Sequence, residues 1–300
     1  VLARTRASVA ARTSGETAAF VGCDGGLPEG GTDVSTSSGQ VPSLLLTGER
    51  TLPGISHENY WFRRHEAAYE FLRPWCVGAD VLEAGCGEGY GAHLLAGVAR
   101  TVVGLDYDAA TATHVADRYP DIHVVRGDLQ RLPFADGSVE VVVNLQVIEH
   151  LWDQPGFLRE CARVLRPAGT LIVSTPNRLT FSPGGAPVNP FHTRELSASE
   201  LAELLTPDFR PSRMYGLSHG PRLRRLDRFW QRRLRRSDSD RGTASQYGSA
   251  LIDAQLVGPA ATWHPRLRSD VTSVRARDFT VTGEGVNAAL DLLAIAVRKP

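Results

Sequence analysis

The chain has 300 residues, 42% of them hydrophobic, which is enough to bury the core of one large domain. Its 33 lysine and arginine residues balance its 33 aspartate and glutamate residues, so no global charge steers it toward nucleic acid or an anionic membrane. No stretch approaches the roughly 18 apolar residues of a transmembrane helix, and no signal-peptide core is visible, so we expect a cytoplasmic protein.

Residues 1–43 are rich in Gly, Ser, Thr and Ala and carry few large apolar side chains. Such a composition cannot bury enough surface to offset the entropy of ordering. We therefore predict a disordered tail over 1–43 and one folded domain over 44–300.

The first predicted element is a helix in "HENYWFRRHEAAYEFLRPW". Trp61, Ala68 and Phe71 recur at roughly helical spacing, and the helix is expected to end before Pro74. Tyr60 and Trp61 on this helix could contact the substrate, although aromatic residues on helices belong more often to the core.

Short β-branched runs then alternate with helical ones. The strand-like runs are "DVLEAG", "TVVGLDYD", "DIHVVRGD", "VEVVVNLQ" and "TLIVST", with helical segments between them. This alternation predicts an α/β fold with a parallel sheet and crossover helices.

The last third of the chain adds two strands and one long connection. Ser197 and Glu200 form a predicted capping box that starts another helix, and strands follow around "FRPSRMYGLS" and "LDLLAIAVRK". The segment between these strands is too long for an ordinary loop, so we predict a helical insertion at about 219–278.

The glycine-rich turn "GCGEGYG" follows the first strand, where glycines let the backbone approach a ligand. A dinucleotide turn requires G-x-G-x-x-G or G-x-G-x-x-A directly after the strand, and counting from Gly85 places Tyr90 at the last position. Counting from Gly87 satisfies the pattern with Gly89 and Ala92, but only if the strand runs two residues longer.

Two carboxylates at the ends of later strands favour a different cofactor. Asp106 ends the second strand, where it can accept hydrogen bonds from a ribose diol, and Asp128 ends the third. With "LEAGCGEG" before them, these features resemble the class I S-adenosylmethionine-dependent methyltransferases from about residue 60 to 297.

The resemblance implies a Rossmann-like, doubly wound, seven-stranded and mostly parallel sheet, with an antiparallel last strand and helices on both faces. S-adenosyl-L-methionine is the implied cofactor. By the same resemblance Gly85, Gly87 and Gly89 pass under its methionine part, Glu83 braces the turn, and Asp128 faces the adenine amino group. The remaining implied cofactor contacts are Tyr107 and Leu129 beside the adenine and Gln146 beside the sulfonium.

Two histidines are the candidate catalytic residues, because a hydroxyl acceptor gains from a positioned base. His150 follows the fourth strand, and His192 in "NPFHTREL" follows the fifth. Asn177 and Asn189 could bind acceptor hydroxyls, and His219 is a third, weaker choice. We expect a metal-free reaction, because Asp153 is the only obvious metal ligand near the fourth strand.

Longer segments, among them "VIEHLWDQPGFLRECARVLR" and "STPNRLTFSPG", resemble actinobacterial methyltransferases assigned to methylglucose lipopolysaccharide biosynthesis. This implies methylation of a sugar hydroxyl on an oligosaccharide or polysaccharide. The "VIEHL" segment is also similar to ubiquinone O-methyltransferases, which leaves a quinone or another phenol as an alternative acceptor. A nicotinamide-dependent oxidoreductase and a non-catalytic binding module are the remaining alternatives.

The Arg-rich segment 222–236 has apolar residues at helical spacing and arginines on its other faces. It could contact anionic lipid or an acidic glycan, or pack its apolar stripe on the domain. Nucleic acid is not an expected partner, because no recognition motif accompanies these arginines. The sequence leaves the oligomeric state open.

Overall fold

A computed structural model describes residues 44, 50–184, 187, 189–210, 213–237, 251 and 264–300, with the side chains of 234–237 left out. The tail predicted over 1–43 lies outside the described residues. The fold that follows is built from the remaining chain.

Eight strands form one sheet in the order β3-β2-β1-β4-β5-β8-β6-β7. Strands β1 to β5 run parallel, and β8 runs antiparallel to both β5 and β6. The strands are β1 Asp80–Ala84, β2 Thr101–Asp106, β3 His123–Arg126, β4 Val139–Leu145, β5 Leu165–Pro176, β6 Arg213–His219, β7 Phe279–Thr282 and β8 Asp291–Val297.

The predicted fold class is confirmed, with one strand more than the seven expected. The additional strand is β7, which pairs antiparallel with the outer side of β6. This strand has only four residues, "FTVT", and its exposed positions are polar, so the sequence pattern does not identify it.

Eight helices accompany the sheet in the described part of the chain. They are α1 Asn59–Cys76, α2 Tyr90–Ala96, α3 Ala109–Arg118, α4 Gln154–Val164, α5 Arg178–Phe181, α6 Ala198–Leu205, α7 Pro221–Ser237 and α8 Pro265–Thr272. Ser197 and Glu200 form the predicted capping box at the start of α6.

The predicted end of the first helix before Pro74 is wrong, because α1 continues to Cys76 and contains the proline. Proline removes one backbone hydrogen bond near the end of the helix. Leu72 and Cys76 are fully buried on either side of it, and their packing holds the last turn in place.

Successive residues of the central strands supply two separate cores, one on each face of the sheet. Leu82 packs with Phe157 of α4 and Leu201 of α6 on one face. Val81 packs with Leu95 of α2 and other residues of α1 and α3 on the opposite face. This is the two-sided burial expected of a parallel sheet between helices.

A third core joins α1 to the C-terminal elements. Tyr60 of α1 packs with Leu223 and Trp230 of α7, Val271 of α8 and Phe279 of β7. Leu223 and Trp230 of the Arg-rich segment therefore face the domain, while Phe229 and the described arginines are exposed. None of the helices in the described ranges combines the length and apolarity needed to cross a bilayer.

Candidate active site

Strand β1 ends at Ala84, so the glycine turn begins directly with Gly85. Gly85, Gly87 and Gly89 have φ values of 89°, 53° and 95°, a left-handed conformation that favours glycine. With the turn starting at Gly85, the dinucleotide pattern fails at Tyr90. The nicotinamide alternative required β1 to run two residues further, and the strand does not do so.

The glycine turn is fixed to two neighbouring strand ends. A Cβ atom on Gly85 would lie 2.7 Å from the Val147 side chain, just after β4. The amide of Gly87 donates a 2.9 Å hydrogen bond to Asp106 Oδ2 at the end of β2. These contacts leave open space around Gly87, where an added Cβ would meet nothing within 4 Å.

Asp106 and Asp128 lie at the carboxyl ends of β2 and β3, as the sequence predicts. The backbone amide of Asp108 donates to Asp106 Oδ1 at 3.0 Å, and that of Gln130 donates to Asp128 Oδ1 at 2.8 Å. Burial raises the pKa of Asp106. Each carboxylate thus orders its own loop and retains acceptor capacity for a ligand hydroxyl or amine.

Beside these carboxylates, the two predicted adenine neighbours differ in exposure. The Tyr107 side chain is 74% exposed, whereas Leu129 is buried against the sheet. Leu129 therefore lies in the apolar floor of this edge, and Tyr107 stands at its surface.

Glu83 is buried within β1, where the hydroxyl of Tyr69 donates a hydrogen bond to its Oε1. Its Oε2 has no hydrogen-bond partner in the described part of the chain. Burial raises the pKa of Glu83 to about 8, against the lowering effect of the Tyr69 hydrogen bond. This carboxyl is a buried polar group on the strand that leads into the glycine turn.

Gln146 follows β4 with a φ of 56°, which a residue with a side chain rarely adopts. Its amide Nε2 donates to Ser174 Oγ at 3.0 Å, and its backbone amide donates to the Ser174 carbonyl. Backbone strain of this kind concentrates at binding sites.

The two candidate catalytic histidines come together although they are 42 positions apart in the sequence. The rings of His150 and His192 lie 4.9 Å apart in an edge-on arrangement. His150 Nδ1 donates a 3.0 Å hydrogen bond to the carbonyl of Phe191, since a carbonyl can only accept.

Thr193 holds the two histidine loops together. Its amide and hydroxyl donate to the Glu149 carbonyl at 2.8 and 3.0 Å, and the hydroxyl also donates to the Leu151 carbonyl. Gln154 adds amide hydrogen bonds from its side chain to the carbonyls of Ile148 and Arg194. Backbone carbonyls and one threonine therefore fix the relative position of the two rings.

Glu195 is a site residue that the sequence analysis missed. His192 Nδ1 donates a 2.7 Å hydrogen bond to Glu195 Oε1, and both side chains are at least 95% buried. Asn189 Nδ2 contacts His192 Nε2 at 3.0 Å. The glutamate three residues after the histidine in "HTRE" is the sequence signal that could have indicated this pair.

Glu149 lies next to the histidine pair and is also buried. The Thr175 hydroxyl donates to Glu149 Oε2 at 3.0 Å. Burial raises the pKa of Glu149 to about 7, while nearby His192 lowers it. Ligand atoms of Glu149, His150 and His192 all lie within 4.8 Å of one another, close enough for a shared metal ion.

Three weaker sequence candidates lie elsewhere. Asn177 is fully buried and donates to the carbonyls of Val286, Asn287 and Ala289, so it is a structural residue. His219 is buried and lies 2.7 Å from the Tyr60 hydroxyl, and burial lowers its pKa to about 3. Neither His219 nor Tyr60 belongs to the histidine pair, because both side chains are engaged in the C-terminal core.

The glycine turn and strand-end carboxylates define the cofactor edge of a class I S-adenosylmethionine-dependent methyltransferase. The family model for the methyltransferase domain matches residues 82–173. A probable S-adenosylmethionine-dependent methyltransferase of Mycobacterium tuberculosis is 51% identical over 272 residues, which cover 88% of this chain and 93% of that protein. The chain therefore belongs to the S-adenosylmethionine-dependent methyltransferases, and the predicted enzyme class and cofactor are confirmed.

Two further comparisons match less of the chain or are less similar in sequence. A ubiquinone biosynthesis O-methyltransferase of Caulobacter vibrioides is 35% identical over 128 residues, 39% of this chain and 50% of that protein. A solved methyltransferase from Thermotoga maritima, described as a possible histamine N-methyltransferase, has a TM-score of 0.53 at 17% identity. It covers 82% of this chain and 96% of its own and supports the fold alone.

Proposed function

We propose that this methyltransferase acts on oxygen and methylates a sugar hydroxyl of an oligosaccharide or polysaccharide such as methylglucose lipopolysaccharide. The observation that carries the proposal is the contact between His150 and His192 beside the cofactor edge. A sugar hydroxyl is a poor nucleophile, so its methylation gains from a group that takes its proton as the new bond forms.

The residues of the glycine turn and the strand ends fit the cofactor. Gly85, Gly87 and Gly89 would pass under its methionine part, with Glu83 bracing the turn. When bound, S-adenosyl-L-methionine supplies a methyl group on a positively charged sulfur. The other proposed contacts are Asp106 to the ribose, Asp128, Tyr107 and Leu129 at the adenine, and Gln146 near the sulfur.

The Glu195 carboxylate orients His192 for proton transfer. Because His192 Nδ1 donates to Glu195, its Nε2 carries the lone pair that can accept a proton. The carboxylate also stabilises the imidazolium that forms, as in other acid–histidine pairs. The Phe191 carbonyl fixes His150 in the same Nδ1–H tautomer.

Exposed aromatic side chains on the two histidine loops favour a sugar ring as acceptor. Trp152, two residues after His150, is 92% exposed, and Phe191, next to His192, is 43% exposed. Aromatic faces can bury the apolar face of a pyranose ring while its hydroxyls reach polar groups. Asn189 and the two histidines supply such groups.

The exposed arginines of α7 would bind acidic groups on a larger acceptor. Arg225, Arg228, Arg232 and Arg233 are exposed on the helix face opposite its buried stripe. A succinyl group on a glycan, or an anionic lipid headgroup, carries the complementary negative charge. This contact is a secondary part of the proposal.

A quinone or another small phenol is the second candidate acceptor. The similarity to the ubiquinone biosynthesis O-methyltransferase of Caulobacter vibrioides favours it, although that similarity covers only 39% of this chain. A phenol is more acidic than a sugar hydroxyl and depends less on a base. The two acceptors therefore differ in how strongly they should require His192.

Transfer of labelled methyl from S-adenosylmethionine to glucans and phenols tests the proposal. We expect transfer to the glucan, with His192→Ala lowering kcat by about 10²-fold or more and leaving S-adenosylhomocysteine affinity unchanged. His93→Ala is the matched control, because His93 also pairs with a carboxylate, Asp121, but lies at the surface. Transfer to phenols alone, or a loss below about tenfold for His192→Ala, would contradict the proposal.

A further inference from the structure

The cluster of Glu149, His150 and His192 has the composition of a metal site. Its ligand atoms lie within 4.8 Å of one another in the protein alone. Ligands of one ion, each bound at about 2.0–2.2 Å, are separated by about 3.3 Å in a tetrahedral site. Small side-chain movements would bring these three groups to that spacing.

The hydrogen bonds around the two imidazoles prepare them as ligands. Metal-binding histidines commonly donate their second ring N–H to a carboxylate or a backbone carbonyl. His192 donates Nδ1–H to Glu195 and His150 donates Nδ1–H to Phe191, which fixes both rings in the Nδ1–H tautomer. The amide of Asn189, now at 3.0 Å from His192 Nε2, would exchange its contact for the ion.

The charge balance of the cluster also favours a cation. Glu149 and Glu195 are both buried, and Glu195 Oε2 has no hydrogen-bond partner among the described residues. Within those residues neither carboxylate forms an ion pair with a lysine or arginine, and the partner of Glu195 is His192. A bound cation would pair with these buried carboxyl groups in their ionised form, and a buried carboxylate is costly unless it is paired.

We propose that Glu149, His150 and His192 bind one divalent transition-metal ion, such as Zn²⁺ or Mn²⁺. Two imidazoles and one carboxylate suit these ions, whereas Mg²⁺ prefers an all-oxygen shell. The inference rests on the proposed function for its acceptor, a sugar hydroxyl, and replaces the His192 base with the bound ion as the group that activates this hydroxyl. This proposal differs from the metal-free reaction that we predict from the sequence. The sequence did not show that residue 192 lies beside residues 149 and 150.

The ion would change how the acceptor loses its proton. Its positive charge lowers the pKa of a hydroxyl bound beside it, so the O–H bond breaks and the proton leaves to water. The acceptor oxygen then bonds to the methyl carbon as the carbon–sulfur bond breaks, and that electron pair stays on the sulfur. The imidazoles act as ligands instead of accepting the proton.

Direct metal binding tests the site without requiring methyl transfer. The full chain is freed of metal with a chelator and titrated with Zn²⁺ and Mn²⁺ by calorimetry, and Co²⁺ is added to record its ligand-field spectrum. We expect about one ion per chain, a nitrogen-ligated Co²⁺ spectrum, and affinity lowered by about tenfold or more in His192→Ala and Glu149→Gln. His93→Ala should bind like the wild type.

A thermal shift with S-adenosylhomocysteine shows that each variant is folded with its cofactor site intact. The metal site would be overturned if the wild type bound the ion no more tightly than both variants. Glucan methylation that persists unchanged after chelation would also overturn it. The latter outcome would leave the proposed sugar methylation standing. One bound ion at the site without transfer to any glucan would instead overturn the proposed acceptor and keep the metal site.

Discussion

Two regions of this methyltransferase are held together in different ways. The cofactor region, residues 80–147, is joined by contacts between nearby strand ends, such as Gly87 to Asp106 across 19 positions. The acceptor region, α1 together with residues 148–297, depends on distant pairs. Tyr60 meets His219 across 159 positions and Arg64 meets Asp291 across 227.

The cofactor region contains most of the family match, and we propose that the acceptor region selects the acceptor. The family model matches residues 82–173, which include nearly all of the cofactor region. The similarity to the Caulobacter vibrioides enzyme likewise covers only 39% of the chain. A common cofactor needs a common set of local turns, whereas the acceptor region is assembled from segments that can change independently.

The largest expected effect comes from breaking the long-range pair of the acceptor region. Arg64 and Asp291 are 2% and 3% exposed, and Arg64 Nε donates a 2.6 Å hydrogen bond to Asp291 Oδ2. Arg64→Met leaves a buried charge unpaired and should lower the unfolding free energy by about 3–5 kcal/mol. Urea unfolding measures it, and Arg64→Met/Asp291→Leu should recover most of the loss. A single-variant loss below about 1 kcal/mol would show that this pair does not hold the region together.

The second effect concerns the local geometry of the cofactor region. Gly85→Ala forces a Cβ to 2.7 Å from Val147 at a φ of 89°, so the turn must move. We expect affinity for S-adenosylhomocysteine, measured by calorimetry, to fall by about 100-fold, or 2.7 kcal/mol. Gly54→Ala is the matched control, because Gly54 has a φ of 84° with nothing within 4 Å. If both variants lost the same affinity for S-adenosylhomocysteine, the cause would be backbone strain and not the contact with Val147.

The third effect is a pH dependence within the cofactor region. Burial raises the pKa of Glu83 from 4.5 to about 8, so the folded protein holds this proton more tightly than the unfolded chain. Its stabilising contribution is complete below pH 4.5 and should decline by about 1.4 kcal/mol per pH unit as pH rises toward 8. The measurement is the wild-type minus Glu83→Gln difference in unfolding free energy without cofactor. A difference that does not change with pH would contradict the raised pKa.

The smallest effect supplies a baseline outside both sites. Ser197 caps α6 through its hydrogen bond with the Glu200 amide. Ser197→Ala should cost about 1 kcal/mol of unfolding free energy and leave cofactor affinity and turnover unchanged. Thermal or urea unfolding checks the loss, and an altered kcat would show that α6 also positions the acceptor region.

The cofactor region was largely predictable from sequence because its information is local. Gly85 was placed correctly at the end of β1, and Asp106 and Asp128 at the ends of their strands, since strand ends meet at one edge of a parallel sheet. The course of α1 beyond Pro74 was not predictable in this way. It depends on the burial of Leu72 and Cys76 by elements that lie far away in the chain.

Apart from β7, the sequence by itself determined the succession of strands and the glycine turn, because periodicity, capping and turn chemistry act over a few residues, and the resemblance of its motifs to class I methyltransferases indicated the cofactor. Only the tertiary structure decided that Asn177 and His219 are structural and that Glu195 holds His192 beside His150 and Glu149. The physical reason is that contacts between loops depend on how the sheet and the Thr193 hydrogen bonds bring distant backbone segments together. The spacing of residues along the chain does not give the distance between two loops in the folded protein.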